Sequence, residues 1–172
     1  RALNLTQHVT EASVEEFITG DEYTYETISI DAEPVVEGCT RYYPNVLEAI
    51  RERWISPQIV ATNRIDAPGY DELRQMARRV ITALGIGTSA THMEWLFGAK
   101  GLKFSEIGCL PPGVGQWYVY STANEFDIYR EWAMALVHGR IGQQPSRRYA
   151  CGMIALRPNR DGHIAGYEGV DR

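Results

Sequence analysis

The chain has 172 residues, of which 44% are hydrophobic and 23% are charged, the proportions of an ordinary soluble globular domain. Its net charge of −5 argues against a role that depends on phosphate contacts to nucleic acid. We also find no apolar run that approaches a membrane span and no secretory leader, so we expect neither a nucleic-acid partner nor a membrane partner.

Three cysteines, Cys39, Cys109 and Cys151, are widely spaced and show no CxxC pattern of a metal or redox site. We expect them to be small buried apolar groups in a reducing cytoplasm. Because Arg1 is not a start residue, we expect residues 1–172 to be a single domain from a longer protein, with catalytic parts outside it.

The first third of the chain predicts an antiparallel meander. Residues 13–18 have the pattern of a strand, and turn chemistry follows at residues 19–21. Residues 22–30 are rich in Thr, Tyr and Ile and predict a second strand. A turn at residues 31–34 leads into a third predicted strand at 35–43.

The next part predicts two helices around a strand at residues 58–64. A short helix is expected over 45–54, where Asn45 and Glu48 form a capping box. A longer helix is expected over 70–84, where apolar residues recur at helical spacing and predict a core-facing stripe. The stripe consists of Tyr70, Leu73, Met76, Ala77, Val80, Ile81 and Leu84.

Residues 91–113 predict a hairpin with a three-residue loop, Ala99-Lys100-Gly101, in which Gly101 takes the positive-φ position. Counting outward from the loop places Glu94 directly opposite Glu106 on one face of the sheet. Two like charges at this position repel each other, and a divalent cation such as Mg²⁺ would offset the repulsion. A solvated pair on an exposed sheet face is the alternative.

The last third predicts a helix over residues 124–138, capped by Asn124 with Asp127 at the N3 position. Late strands are expected at 147–157 and 163–170 around a turn. The predicted fold class is therefore α+β, with two layers: a mostly antiparallel sheet packed by helices.

Two motifs resemble the ATP-grasp superfamily. Residues 14–23, VEEFITGDEY, are similar to the strand that contacts adenine and ribose in that family. Glu94 is followed twelve positions later by Glu106, as in the family's metal-binding strands, and the approach through Gly85-Ile86-Gly87 is also similar. The resemblance covers the whole chain and implies the C-terminal lobe of an ATP-grasp module.

The resemblance implies a nucleotide site at residues 15–22. The Glu16 carbonyl and the Ile18 N–H would bind the adenine edge, with Phe17 between them in the same cofactor-binding stretch. Glu15 would support the adenine pocket, and Glu22 would accept hydrogen bonds from the ribose hydroxyls.

The resemblance further implies that Glu94 and Glu106 hold Mg²⁺, with Mn²⁺ as the alternative metal, between the phosphates of ATP. The enzyme would be an ATP-dependent carboxylate–amine ligase that activates a small-molecule carboxylate as an acyl phosphate for attack by an amine. The sequence does not decide whether the protein forms an oligomer.

Two positions depart from the family pattern. Gly108 stands where the family has a metal-binding Asn, and Leu110 where it has an Arg. His92, at a position where some members carry a phosphate-binding Arg, and Arg64 are the candidate catalytic cations. The alternatives are a half-buried strand histidine and a surface salt bridge. For the whole chain, the alternatives are a nucleotide-binding module without catalysis and an α+β interaction domain.

Overall fold

The computed structural model of the chain describes residues 11–169. Within that range, six strands form one antiparallel sheet in the order β5-β4-β1-β2-β3-β6. The strands are β1 (Asp21–Ile30), β2 (Glu33–Tyr43), β3 (Gln58–Ala61), β4 (Ser89–Gly98), β5 (Gly101–Gly108) and β6 (Cys151–Ile154).

Four α-helices and one short 3-10 helix, Pro68–Tyr70, accompany the sheet in residues 11–169. The predicted α+β class with a mostly antiparallel sheet is confirmed. None of the helices in this range has the length and apolar character needed to cross a membrane. The helices are α1 (Val46–Arg51), α2 (Asp71–Ala83), α3 (Gln116–Asn124) and α4 (Ile128–His138).

Helix α2 covers one face of the sheet with the apolar stripe that its sequence predicted. Leu73, Ala77 and Ile81 are the buried residues of the helix, and they pack against Tyr25, Met93 and Trp95 of the central strands. Helix α2 is therefore fixed by burial of apolar surface, the dominant favourable term in folding.

Helices α3 and α4 cover one end of the opposite face. Trp117 and Tyr120 of α3 and Ile128 of α4 form a second core with Ile28 of β1 and other strand residues. The rest of this face, toward the start of β1 and the middle of β4, carries polar and acidic side chains. The candidate site lies at this end.

The strand predicted at residues 13–18 is wrong, because residues 11–19 form no regular secondary structure. Val14 and Phe17 are 95% and 75% exposed, so these apolar side chains have no neighbouring strand to cover them. The segment instead contacts the end of β4 through its backbone at Gly20, where a Cβ would lie 2.7 Å from the Phe97 carbonyl.

The capping box predicted for the short helix is also wrong. The Asn45 side chain makes no cap hydrogen bond. Its Oδ1 accepts from the Glu22 N–H at 3.0 Å, and its Nδ2 donates to the Gly20 carbonyl at 2.6 Å. Asn45 thus ties β1 to the helix, and α1 ends at Arg51 rather than at residue 54.

The helix predicted over residues 124–138 begins at Ile128 instead of residue 124, and a separate helix that the sequence did not predict, α3, precedes it. Helix α3 ends at Asn124, Glu125 has a positive φ of 54°, and Asp127 caps α4 by accepting from the Arg130 N–H at 3.1 Å. The prediction missed α3 because most of its residues are buried, so it lacks the polar face that gives helical periodicity.

The prediction of two late strands is wrong in part. Only Cys151–Ile154 pairs, with β3, and residues 163–169 form no strand; Val170 lies outside the described residues.

Of the cysteines, Cys39 is buried and Cys151 half-buried, but Cys109 is exposed, since it follows the edge strand β5.

Candidate functional site

Glu94 and Glu106 face each other across β4 and β5, as the sequence predicted, although the path between them differs. Gly98 pairs with Gly101, so the hairpin loop is one residue shorter than the predicted loop. Gly101 has the expected positive φ, 77°. An irregularity after Glu94 then shifts the register by one. A bulge of this kind adds one residue to a strand, and it restores the predicted pairing.

Four carboxylates gather on this face around Tyr42 of β2. Glu22 and Glu26 come from β1, Glu94 from β4 and Glu106 from β5. Burial raises the pKa of the half-buried Tyr42 hydroxyl, and the charges of Glu94, Glu26, Glu22 and Glu106 raise it further. The face is therefore strongly electronegative, which favours cations.

Glu22 joins the acidic face to the start of helix α1. Its Oε2 accepts a hydrogen bond from the Val46 N–H at 2.7 Å. Partial burial raises the pKa of Glu22, the Val46 hydrogen bond lowers it, and the charge of Glu94 raises it. The net shift is upward, because the loss of solvent and the negative charge of Glu94 together outweigh the Val46 hydrogen bond.

His92 lies between two of the carboxylates. Its Nδ1 is 2.8 Å from Glu26 Oε1, and its Nε2 is 3.6 Å from Glu94 Oε1. Burial lowers the pKa of the imidazole, but the hydrogen bonds and charges of Glu26 and Glu94 outweigh burial and raise the pKa to about 9. At neutral pH the ring therefore carries a positive charge that offsets part of the acidic cluster.

A groove of ≈ 510 Å³ brings most of the predicted nucleotide residues together. Residues 15–20 form one wall and α1 another, while β4 and β5 form the floor. The predicted residues that line it are Glu15, Glu16, Phe17, Ile18, Glu22 and Glu94. Its apolar lining includes Phe17, Leu47, Ile50, Leu96 and Phe104.

The backbone of this wall is open to a ligand. Within residues 11–169, the Glu16 carbonyl and the Ile18 N–H make no hydrogen bond to another backbone group. The Glu16 carboxylate forms an exposed ion pair with Lys100 at the hairpin turn, and Glu15 accepts from Ser13 Oγ at 2.8 Å. These contacts occupy the side chains and leave the main chain free.

Other predicted residues lie outside the groove. Glu106 is exposed on the edge strand β5 beside Glu94. Arg64 is exposed and lines a separate cleft with Tyr23 and Arg41. The structure therefore does not bring Arg64 to the carboxylates, whereas it brings His92 into contact with them.

Among residues 11–169, no three His, Cys, Asp or Glu side chains are grouped closely enough to hold a metal by themselves. Two facing carboxylates nevertheless suit Mg²⁺, which keeps several waters and is usually bound through one or two carboxylates together with substrate phosphates. Glu94 and Glu106 fit that shared mode.

The sequence-based prediction missed the part of the site that supports His92. Glu26 is buried, and it accepts hydrogen bonds from His92, from Gln116 and from Tyr120. A signal for Glu26 was present, because it lies four residues after Glu22 in a predicted strand and so shares its face. No local pattern pointed to Gln116 or Tyr120 on the unrecognised helix α3.

Comparisons with known proteins found similarity at the level of structure. No protein-family profile matches the chain, and no curated protein matches it. A crystal structure of L-amino acid ligase from Bacillus licheniformis is similar, with a TM-score of 0.53 and 19% sequence identity. The match covers 69% of this chain and 30% of the ligase chain. The likeness is one of fold.

Proposed function

We propose that the chain is the Mg-ATP-binding lobe of an ATP-dependent carboxylate–amine ligase. The observation that carries this proposal is that residues 15–18, Glu22 and Glu94 line the same groove. An apolar cleft with open backbone groups at one end and carboxylates at the other matches the chemistry of a nucleotide bound with a divalent cation.

In this proposal the nucleotide base lies on the apolar wall. The Glu16 carbonyl accepts a hydrogen bond from the adenine amino group, and the Ile18 N–H donates one to a ring nitrogen. Phe17 and Glu15 flank this stretch. Glu22 accepts hydrogen bonds from the ribose hydroxyls, while its Oε2 stays bound to the Val46 N–H.

The phosphates lie toward Glu94 and Glu106, which would hold Mg²⁺. When bound, Mg²⁺ neutralises the charge on the transferring phosphoryl group. A substrate carboxylate oxygen attacks the γ-phosphorus as the bond to ADP breaks, and an amine nitrogen then displaces phosphate from the acyl carbon and loses a proton. His92, protonated at neutral pH, stands beside Glu94 as a cation for the phosphates.

The full reaction belongs to the full-length protein in this proposal, with small-molecule carboxylate and amine substrates and a cytoplasmic location. The chain spans 30% of the ligase chain that it matches. Residues elsewhere in the full-length protein would therefore supply the remaining contacts to the phosphates and substrates.

A second candidate is a nucleotide-binding module without catalysis. The side chain of Leu110 fills the space beside Gly108, where a Cβ would meet Leu110 Cδ2. No polar group from either position therefore reaches the carboxylates, in contrast to the Asn and Arg of the family pattern. This loss favours binding without phosphoryl transfer.

Release of ADP by the full-length protein distinguishes the two. We expect ADP release from Mg-ATP to rise when one of a panel of amino-acid carboxylates and amines is added. Glu106→Gln should reduce that rate at least about 10²-fold, since it removes a charge that stabilises the transition state. Glu72→Gln, an exposed change on α2, is the matched control and should leave the rate unchanged. ATP binding without stimulated ADP release would favour the second candidate.

A further inference from the structure

Glu26 is a buried carboxylate with every oxygen occupied. Glu26 is only 2% exposed. Oε1 accepts from His92 Nδ1 at 2.8 Å and from Gln116 Nε2 at 2.8 Å, and Oε2 accepts from the Tyr120 hydroxyl. A buried carboxylate is costly unless it is hydrogen-bonded in this way, so its presence calls for a role.

The partners of Glu26 on helix α3 are themselves fixed. Gln116 is 1% exposed, and its Nε2 also lies 2.7 Å from Thr24 Oγ1 and 2.9 Å from Thr40 Oγ1. Those two hydroxyls lie 2.5 Å apart on neighbouring strands. The carboxylate is thus held in one position by β1, β2 and α3 together.

This fixed carboxylate determines how the ring of His92 lies. Because Glu26 takes Nδ1, the opposite edge of the imidazole points out of the core, and Nε2 lies 3.6 Å from Glu94 Oε1. A carboxylate behind one nitrogen is the usual means by which proteins set the orientation and tautomer of a functional histidine.

We propose that Glu26 is a positioning residue, which locks the His92 ring so that an Nε2–H is presented beside Glu94 at the phosphate end of the groove. The identity of the phosphate ligand rests on the proposed function, whereas the orientation of the ring does not. Glu26 itself is enclosed, so it would act on a ligand only through His92.

The orientation is tested by nuclear magnetic resonance of the histidine rings in the full-length protein without nucleotide. The His92 signal is assigned by its loss in His92→Gln. We expect a proton on Nδ1 that exchanges slowly with water, because it is hydrogen-bonded to a buried carboxylate. A His92 ring that lacks the Nδ1 proton, or that exchanges it as fast as an exposed histidine, would overturn the proposal without any variant of Glu26.

Glu26→Gln then tests the consequence for binding. Loss of the charged acceptor should shift the His92 ring signals and weaken Mg-ATP binding, measured by calorimetry, by roughly tenfold or more, the usual effect of removing such a supporting group. Glu131→Gln is the matched control. Glu131 is also a buried carboxylate, 1% exposed, but it accepts from Gly142 and Gln143 next to α4.

The outcomes separate the two proposals. The positioning role is supported if Glu26→Gln moves the His92 signals and Glu131→Gln does not, and it fails if the two variants act alike on His92. If the parent protein shows the expected His92 signal but does not bind Mg-ATP, the positioning geometry holds and the proposed function fails.

Discussion

His92 is held between two carboxylates, and this contact makes the free energy of unfolding depend on pH. The pKa of the ring rises from 6.5 to about 9 on folding. A histidine whose pKa is raised in the folded state contributes its full stabilisation below the unfolded pKa and loses it as the pH rises through the folded pKa.

We therefore predict that His92→Gln lowers the free energy of unfolding more at pH 6 than at pH 9.5. The ceiling of the difference is about 3 kcal/mol, because each pKa unit corresponds to ~1.4 kcal/mol. Urea unfolding at the two pH values measures it, with the exposed His163→Gln as the control for losing a histidine. An equal cost at both pH values would show that His92 is not paired with Glu26 and Glu94 as described.

At the scale of residues, the sequence was informative where the relevant partners are close in the chain. Glu94 and Glu106 are joined by one hairpin, so a count along the strands found their pairing. Glu26 and His92 are 66 residues apart, and only the pairing of β1 with β4 makes them neighbours. No local pattern contains that pairing.

At the scale of elements, helix α2 illustrates a structure that its own sequence specifies. Ile81 is fully buried under the sheet, whereas Leu84, just past the end of the helix, is 60% exposed. Both side chains fit the predicted stripe, but only the first contacts the core.

We predict that Ile81→Ala destabilises the protein by about 2–5 kcal/mol, through lost burial and the cavity left behind. Leu84→Ala removes a side chain of similar size from an exposed position and should cost less than about 1 kcal/mol. Thermal or urea unfolding of the two variants gives the comparison, and equal losses would contradict the assigned packing face of α2.

The wall of the groove depends on a close backbone contact that the sequence did not reveal. Residues 13–18 have the sequence pattern of a strand, yet this segment has no strand partner. It is held instead at Gly20, against the carbonyl of Phe97 at the end of β4.

We predict that Gly20→Ala costs about 1–3 kcal/mol and displaces the groove wall, because the new methyl group overlaps backbone atoms that cannot move aside. Gly87→Ala is the control, since nothing lies within 4 Å of its Cβ position and its φ is outside the left-handed region. Unfolding measurements test the stability. A Gly20→Ala protein as stable as Gly87→Ala would mean that residues 19 and 20 do not pack on β4.

At the scale of the whole molecule, the fold class followed from the sequence, but the arrangement of the sheet did not. Turn residues and β-rich runs predicted antiparallel strands, and the periodicity of α2 predicted a packed helix. The order β5-β4-β1-β2-β3-β6 places β4 beside β1, although residues 31–88 lie between them in the chain. That arrangement gathers carboxylates from three strands on one face, and it arises from the tertiary fold alone.

The most direct test of the central claim is calorimetry of Mg-ATP binding to the full-length protein. We predict that the parent protein binds ATP in the presence of Mg²⁺, that Glu22→Ala weakens binding, and that Glu94→Gln removes its dependence on Mg²⁺. Glu72→Gln should bind like the parent. If the parent protein does not bind ATP with Mg²⁺, or if Glu22→Ala and Glu94→Gln bind as it does, the groove is not a nucleotide site.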